Sequence, residues 1–131
     1  MNLISLDTNI VLRLILRDIP DQSKKAAEFV AGTSCYITDV VVAESVFVLE
    51  KVYKLDREYI TGLMTILFKL KTVSYNEVVV KMSLSFYKRF NTLSFVDCYS
   101  LAEATTSENE LVTFDKKLIK LGGPTVKEPQ K

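Results

Sequence analysis

Four carboxylates, Asp7, Glu44, Asp97 and Asp115, stand where this sequence gives them little company. Asp7 ends the apolar run of "LISLDTNIV" and is the only charge before Arg13. Glu44 is the only charge between Asp39 and Glu50, within "VVVAESVFVL". Asp97 is the only charge between Arg89 and Glu103, within "NTLSFVDCYSLA", and Asp115 directly follows the strand-like "ELVTF". A buried, unpaired carboxylate is costly, so it shifts its pKa, pairs, or binds a cation. Several such acids along one chain point to an acidic cluster able to hold a hard metal ion.

Each acid also has a quieter reading. Ser94-Phe95-Val96-Asp97 matches a capping box, in which Ser94 opens a helix and the acid reaches back. Asp115 suits the N-cap of a short helix beginning at Lys116. Asp39, after Thr38, reads as a helix-start cap, five positions from Glu44 and therefore on another face. Glu44 has no capping role inside a helix, which leaves an ion pair as its alternative. Thr8, Asn9 and Thr113 are turn and cap residues, or polar groups that steer a carboxylate or a water.

The absences narrow the chemistry further. The chain has no histidine, which removes Ser-His-Asp and Cys-His catalysis, histidine bases and His-based zinc sites. Cys35 and Cys98 share no metal or redox spacing and read as small buried thiols of a reducing compartment. A formal net charge of +1 gives no global pull toward nucleic acid or membrane, so any such contact needs a local basic patch. No apolar run is long enough to span a membrane, and Asp7 would interrupt a signal peptide. The expectation is one domain over 131 residues, in the cytoplasm.

Positioning these acids requires a regular frame. Strand-like runs at 3–6, 35–38, 72–75, 110–114 and 125–127 alternate with helical patterns at 9–17, 22–31, 40–54, 57–70, 77–90, 95–107 and 116–121. That alternation predicts an α/β fold with a mostly parallel sheet covered on both faces. Leu3 to Leu6 are suited to a buried strand. In such sheets ligands bind beyond the carboxyl ends of the strands, where Asp7 and Asp115 fall. Residues from about 124 form a last short strand or tail.

The pieces "SLDTNIVLRL", "ITDVVVAESVFVL", "LSFVDCYSLAEA" and "LVTFDKKL", in this order from residue 3 to about 121, resemble the PIN-domain nucleases, especially VapC-type toxins of toxin–antitoxin pairs. The resemblance implies a three-layer α/β/α fold with a central sheet of four to five mostly parallel strands. It implies a metal-dependent endoribonuclease with Asp7, Glu44, Asp97 and Asp115 holding Mg²⁺ or Mn²⁺. Asn9 and Thr113 match polar supporting positions, and Arg13, Lys116 and Lys117 are candidate RNA phosphate contacts. Expected partners are RNA, a cognate antitoxin and a second copy of the chain. The resemblance favours the toxin of a toxin–antitoxin pair, with an RNA-processing relative as the alternative.

Three other readings compete with this one. A haloacid-dehalogenase-like phosphatase needs an acid two positions after Asp7, where this chain has Asn9. A receiver domain needs its acceptor Asp after the third strand, where the chain has Tyr75-Asn76. A non-catalytic binding module would use the acids only as caps and its apolar faces for a partner.

Overall fold

A computed structural model describes residues 2–130. Met1 and Lys131, the ends of the expected single domain, lie outside the described residues. The elements run β1 (Ile4–Ser5), α1 (Thr8–Leu16), α2 (Pro20–Ala31), β2 (Cys35–Ile37), α3 (Asp39–Lys51), α4 (Arg57–Phe68), β3 (Val73–Tyr75), α5 (Glu77–Arg89), α6 (Phe95–Thr106), β4 (Leu111–Val112), α7 (Lys116–Gly122) and β5 (Val126–Lys127). Every strand pairing among the described residues is parallel, as the strand–helix alternation requires. The fold is mixed α/β. Its strands form a three-stranded set in the order β1-β2-β3 and a two-stranded set, β4-β5.

The chain divides into two compact units, one running to Asn76 and the other from Glu77. In the first unit, β2 is the central strand and carries the buried Cys35 and Ile37. Val11 and Leu12 of α1, Val42, Val46 and Leu49 of α3, and Ile60 and Met64 of α4 complete that unit's core. Phe68 stacks on Tyr75 with ring centroids 3.8 Å apart, fixing the end of α4 over β3. Burial pushes the Cys35 thiol up, because a thiolate would lose its hydration there. Cys35 and Cys98 are both buried, as small apolar side chains.

Several element ends lie a few residues from the sequence expectation, and the burial of one strand differs from it. Helix α2 starts at Pro20 rather than residue 22, because proline is tolerated at the first helical position, where its missing N–H has no partner to lose. Strand β1 was expected to be buried, yet of residues 3 to 6 only Leu6 is. The strand sits at the edge of its set, where Leu3 and Ile4 remain open to solvent.

In the second unit α5 and α6 form the main helix pair, with Val80, Leu84, Tyr87, Leu93, Phe95 and Cys98 buried. Gly122 closes α7 where it meets Leu101 of α6 and Val126 of β5. A Cβ at this position would collide with the Val126 side chain and lie 3.2 Å from Leu101 Cδ1. Gly122→Ala is therefore expected to destabilise by about 1–3 kcal/mol through overpacking, measured as a lower urea midpoint at unchanged slope.

Candidate active site

Asp7 occupies the N-cap position of α1 in extended conformation, but its side chain makes no cap hydrogen bond. Among the described residues its carboxylate has no hydrogen-bond or ion-pair partner, and it is exposed. Strand β1 delivers it there, since Leu6 N–H donates to Tyr36 O at 2.9 Å and locks the strand end. The next residue, Thr8, is buried, and its hydroxyl donates a short hydrogen bond to Glu44 Oε1. That bond ties the start of α1 to the second turn of α3 within one unit. It occupies one Glu44 oxygen and leaves the other open.

Glu44 was expected to be buried among apolar neighbours, and it is exposed. The inference from neighbours fails because Val40 and Phe47, on the same face of α3, are themselves 77% and 60% exposed. Asp39 departs from expectation in another way. Thr38, not Asp39, caps α3, its hydroxyl accepting from Val41 N–H at 3.2 Å. Asp39 is the first helical residue, and Asn76 Nδ2 donates to its Oδ2 at 3.0 Å. Asp7, Asp39 and Asn76 thus follow the ends of the adjacent strands β1, β2 and β3. The sequence showed Asn76 after the third strand but not its bond to Asp39. The available signal was its place just past a strand end, on the edge where ligands bind in parallel sheets.

In the second unit Asp97 and Asp115 both act as caps. Ser94 and Asp97 form a full capping box, with Asp97 N–H donating to Ser94 Oγ at 3.1 Å and Ser94 N–H to Asp97 Oδ2 at a long 3.4 Å. Asp115 Oδ1 accepts from the N–H groups of Lys117 at 2.9 Å and Leu118 at 3.3 Å. Thr113 Oγ1 accepts from Asp115 N–H at 3.0 Å and so fixes the backbone entering the cap. Each cap uses one carboxylate oxygen, which orients the group and leaves the other oxygen available.

The supporting residues fall out unevenly. Asn9 is exposed on α1. Arg13 pairs with Asp18 at 2.9 Å, and Tyr53 completes a triad by bonding both, so its guanidinium is committed to holding the α1–α2 turn. Lys117 Nζ donates to Thr92 O at 3.3 Å. Lys116 is exposed, with no partner among the described residues.

Among the described residues no group of three or more Asp, Glu, Cys or His side chains has metal-binding geometry. The donor set nonetheless suits a hard cation. Mg²⁺ takes all-oxygen ligands, keeps several waters and needs only one or two carboxylates beside substrate phosphates. Asp7, unspent, and Glu44, with one oxygen open, fit that description, and the chain offers no softer ligand set in its place.

Acids follow the carboxyl ends of the parallel strands β1, β2 and β4, as Asp7, Asp39 and Asp115, on the edge where α/β sheets bind ligands. The PIN domain family matches residues 4–124, and the chain belongs to that family. Its members are generally metal-dependent nucleases acting on RNA or other nucleic acid. No curated protein matches the chain. No helix among the described residues is long and apolar enough to cross a membrane.

Proposed function

We propose that this chain is a Mg²⁺- or Mn²⁺-dependent endoribonuclease, the toxin of a toxin–antitoxin pair acting in the cytoplasm. Asp7, Glu44, Asp97 and Asp115 are the metal-holding carboxylates in this reading, and a homodimer and a cognate antitoxin are its protein partners. The observation that carries it is Asp7: a carboxylate at a helix N-cap that spends no oxygen on the cap. Asp115 on α7, by contrast, spends one oxygen on the first-turn N–H groups and keeps the other.

When bound, the metal neutralises charge on the phosphodiester and eases loss of a proton from water. The protein's contribution is orientation. Thr8 fixes one Glu44 oxygen, the Ser94 box holds Asp97 at the first turn of α6, and α7 holds Asp115. Carboxylates fixed in this way need no reorganisation to receive a cation. An RNA-processing role uses the same chemistry and differs only in substrate and partner.

Glu44→Gln tests the reading. It keeps an oxygen for the Thr8 hydroxyl but removes the charge. Cleavage of a labelled single-stranded RNA should fall by about a hundredfold or more, with thermal unfolding unchanged. Retention of wild-type cleavage would remove Glu44 from the metal set.

A further inference from the structure

A cleft of about 830 Å³ lies within the first unit, lined by the end of α1, by α2 and by α4. That is the size of a small-molecule site, which is mostly apolar with a few placed polar groups. Ala27 and Val30 of α2 face Leu63, Ile66 and Leu67 of α4 across it. Every charged residue in its lining is a cation: Arg17, Lys24 and Lys71. Lys24 reaches Glu28 only at 4.0 Å, in an exposed pair, and the side chains of Arg17 and Lys71 have no partner among the described residues. Arg17 closes α1 in the left-handed conformation, at φ 54°, which glycine takes without strain. Ser23 also lines the cleft. It is 8% exposed, and its hydroxyl has no hydrogen-bond partner among the described residues. A buried helical serine can bond a carbonyl one turn back, as Ser83 does to Val79 O at 2.7 Å. Ser23 makes no such bond.

An apolar recess whose charges are all positive suits a ligand with an apolar body and an anionic end. We propose that this cleft binds a free, single-chain anionic amphiphile, a medium-chain fatty carboxylate, with its head on Arg17 and its chain between α2 and α4. The guanidinium of Arg17 offers paired N–H donors that match a carboxylate. The buried Ser23 hydroxyl lies at the same end of α2, where a ligand oxygen would satisfy it. Ser23 and Ala31 are eight residues apart on α2, about 12 Å along the axis, which leaves room for the chain. Each methylene taken out of water there adds to affinity. Lys71 marks the far end, since Thr72 O accepts from Cys35 N–H just beyond α2. Its aliphatic stem can cover the chain while the ammonium stays in water. A protein partner would need a broader open face, about 800 Å² on this side. Of the large apolar residues in the lining, only Ile66 and Leu70 are exposed, so the cleft offers depth rather than breadth. It shares no residue with the proposed metal carboxylates and is independent of the nuclease reading.

The test is calorimetric titration of the full chain with dodecanoate, kept below its micelle concentration. Dodecyltrimethylammonium, with the same chain and the opposite charge, is titrated beside it. Dodecanoate should bind saturably at one site, and the ammonium about tenfold more weakly or worse. Arg17→Gln should weaken dodecanoate binding about tenfold, through loss of the charged partner. Ile66→Ser, on the exposed wall, should weaken it roughly threefold or more. Lys71→Gln, at the far end, should leave it unchanged. Thermal melts without ligand check that each variant is folded. No saturable binding, or equal affinity for the two head groups, would overturn the proposal. So would wild-type affinity in both Arg17→Gln and Ile66→Ser, which would place an adventitious amphiphile elsewhere on the surface. A loss at Lys71 with none at Arg17 would overturn the assigned head position. An Ile66→Ser variant with unaltered binding but a changed oligomeric state would make the cleft a protein contact and overturn the ligand.

Discussion

Asp7→Asn is expected to lower RNA cleavage about a thousandfold while changing folding stability by less than about 0.5 kcal/mol. The two halves of that expectation come from one observation. Asp7 sits at the N-cap of α1 without a side-chain cap bond, so the fold loses nothing when the charge is removed. Asparagine is as good an N-cap residue as aspartate, and its amide is nearly the same size. The metal loses an anionic ligand, and a deficit of about 4 kcal/mol in transition-state stabilisation corresponds to three powers of ten in rate. Initial rates under single-turnover conditions, paired with urea unfolding of the same preparations, separate the effects. A variant equally active would show that Asp7 holds no metal.

Tyr87→Ala should carry the largest loss of stability, about 3–5 kcal/mol, the range for deleting a buried aromatic ring. Tyr87 is fully buried on α5, and its ring meets Phe95 edge-on at 5.7 Å and 73°. Phe95 is the first residue of α6, two positions before Asp97, so the ring pair anchors the turn that carries the capping box. Against a typical total of about 5–15 kcal/mol, such a loss brings a small domain close to unfolding at 37 °C. Tyr87→Phe keeps the ring contact and should cost much less. Chemical denaturation of the two variants measures the difference, and equal losses would place the effect on the hydroxyl rather than the ring.

Much of the fold was legible in the sequence because it is written locally. Every strand and helix expected from periodicity appears, within a few residues, since apolar spacing and cap residues such as Ser94 and Asp115 act over one or two turns. Burial was less legible. The apolar neighbours of Asp7 and Glu44 suggested interior acids, but Leu3, Ile4, Val40 and Phe47 are themselves open to solvent. A residue's neighbours in sequence tell which types surround it, not which of them face water. Least legible were the contacts that shape the candidate site. Thr8 reaches Glu44 across 36 residues, and Asn76 reaches Asp39 across 37. No local pattern encodes such pairs. Asp39 was assigned a capping role that Thr38 fills, because both residue types suit the position and only the backbone decides between them.

In the proposed function these carboxylates act by holding a divalent cation for RNA cleavage. The most direct test strips the purified wild-type chain of metal with EDTA and supplies Mg²⁺ or Mn²⁺ back in steps, following defined cuts in a structured RNA. An Asp7→Asn preparation made identically serves as the control. The expected result is no cleavage in EDTA, saturable recovery with either metal, and an inert variant throughout. Cleavage that survives chelation, or that is the same in the folded variant as in wild type, would contradict it and return the acids to the role of helix caps.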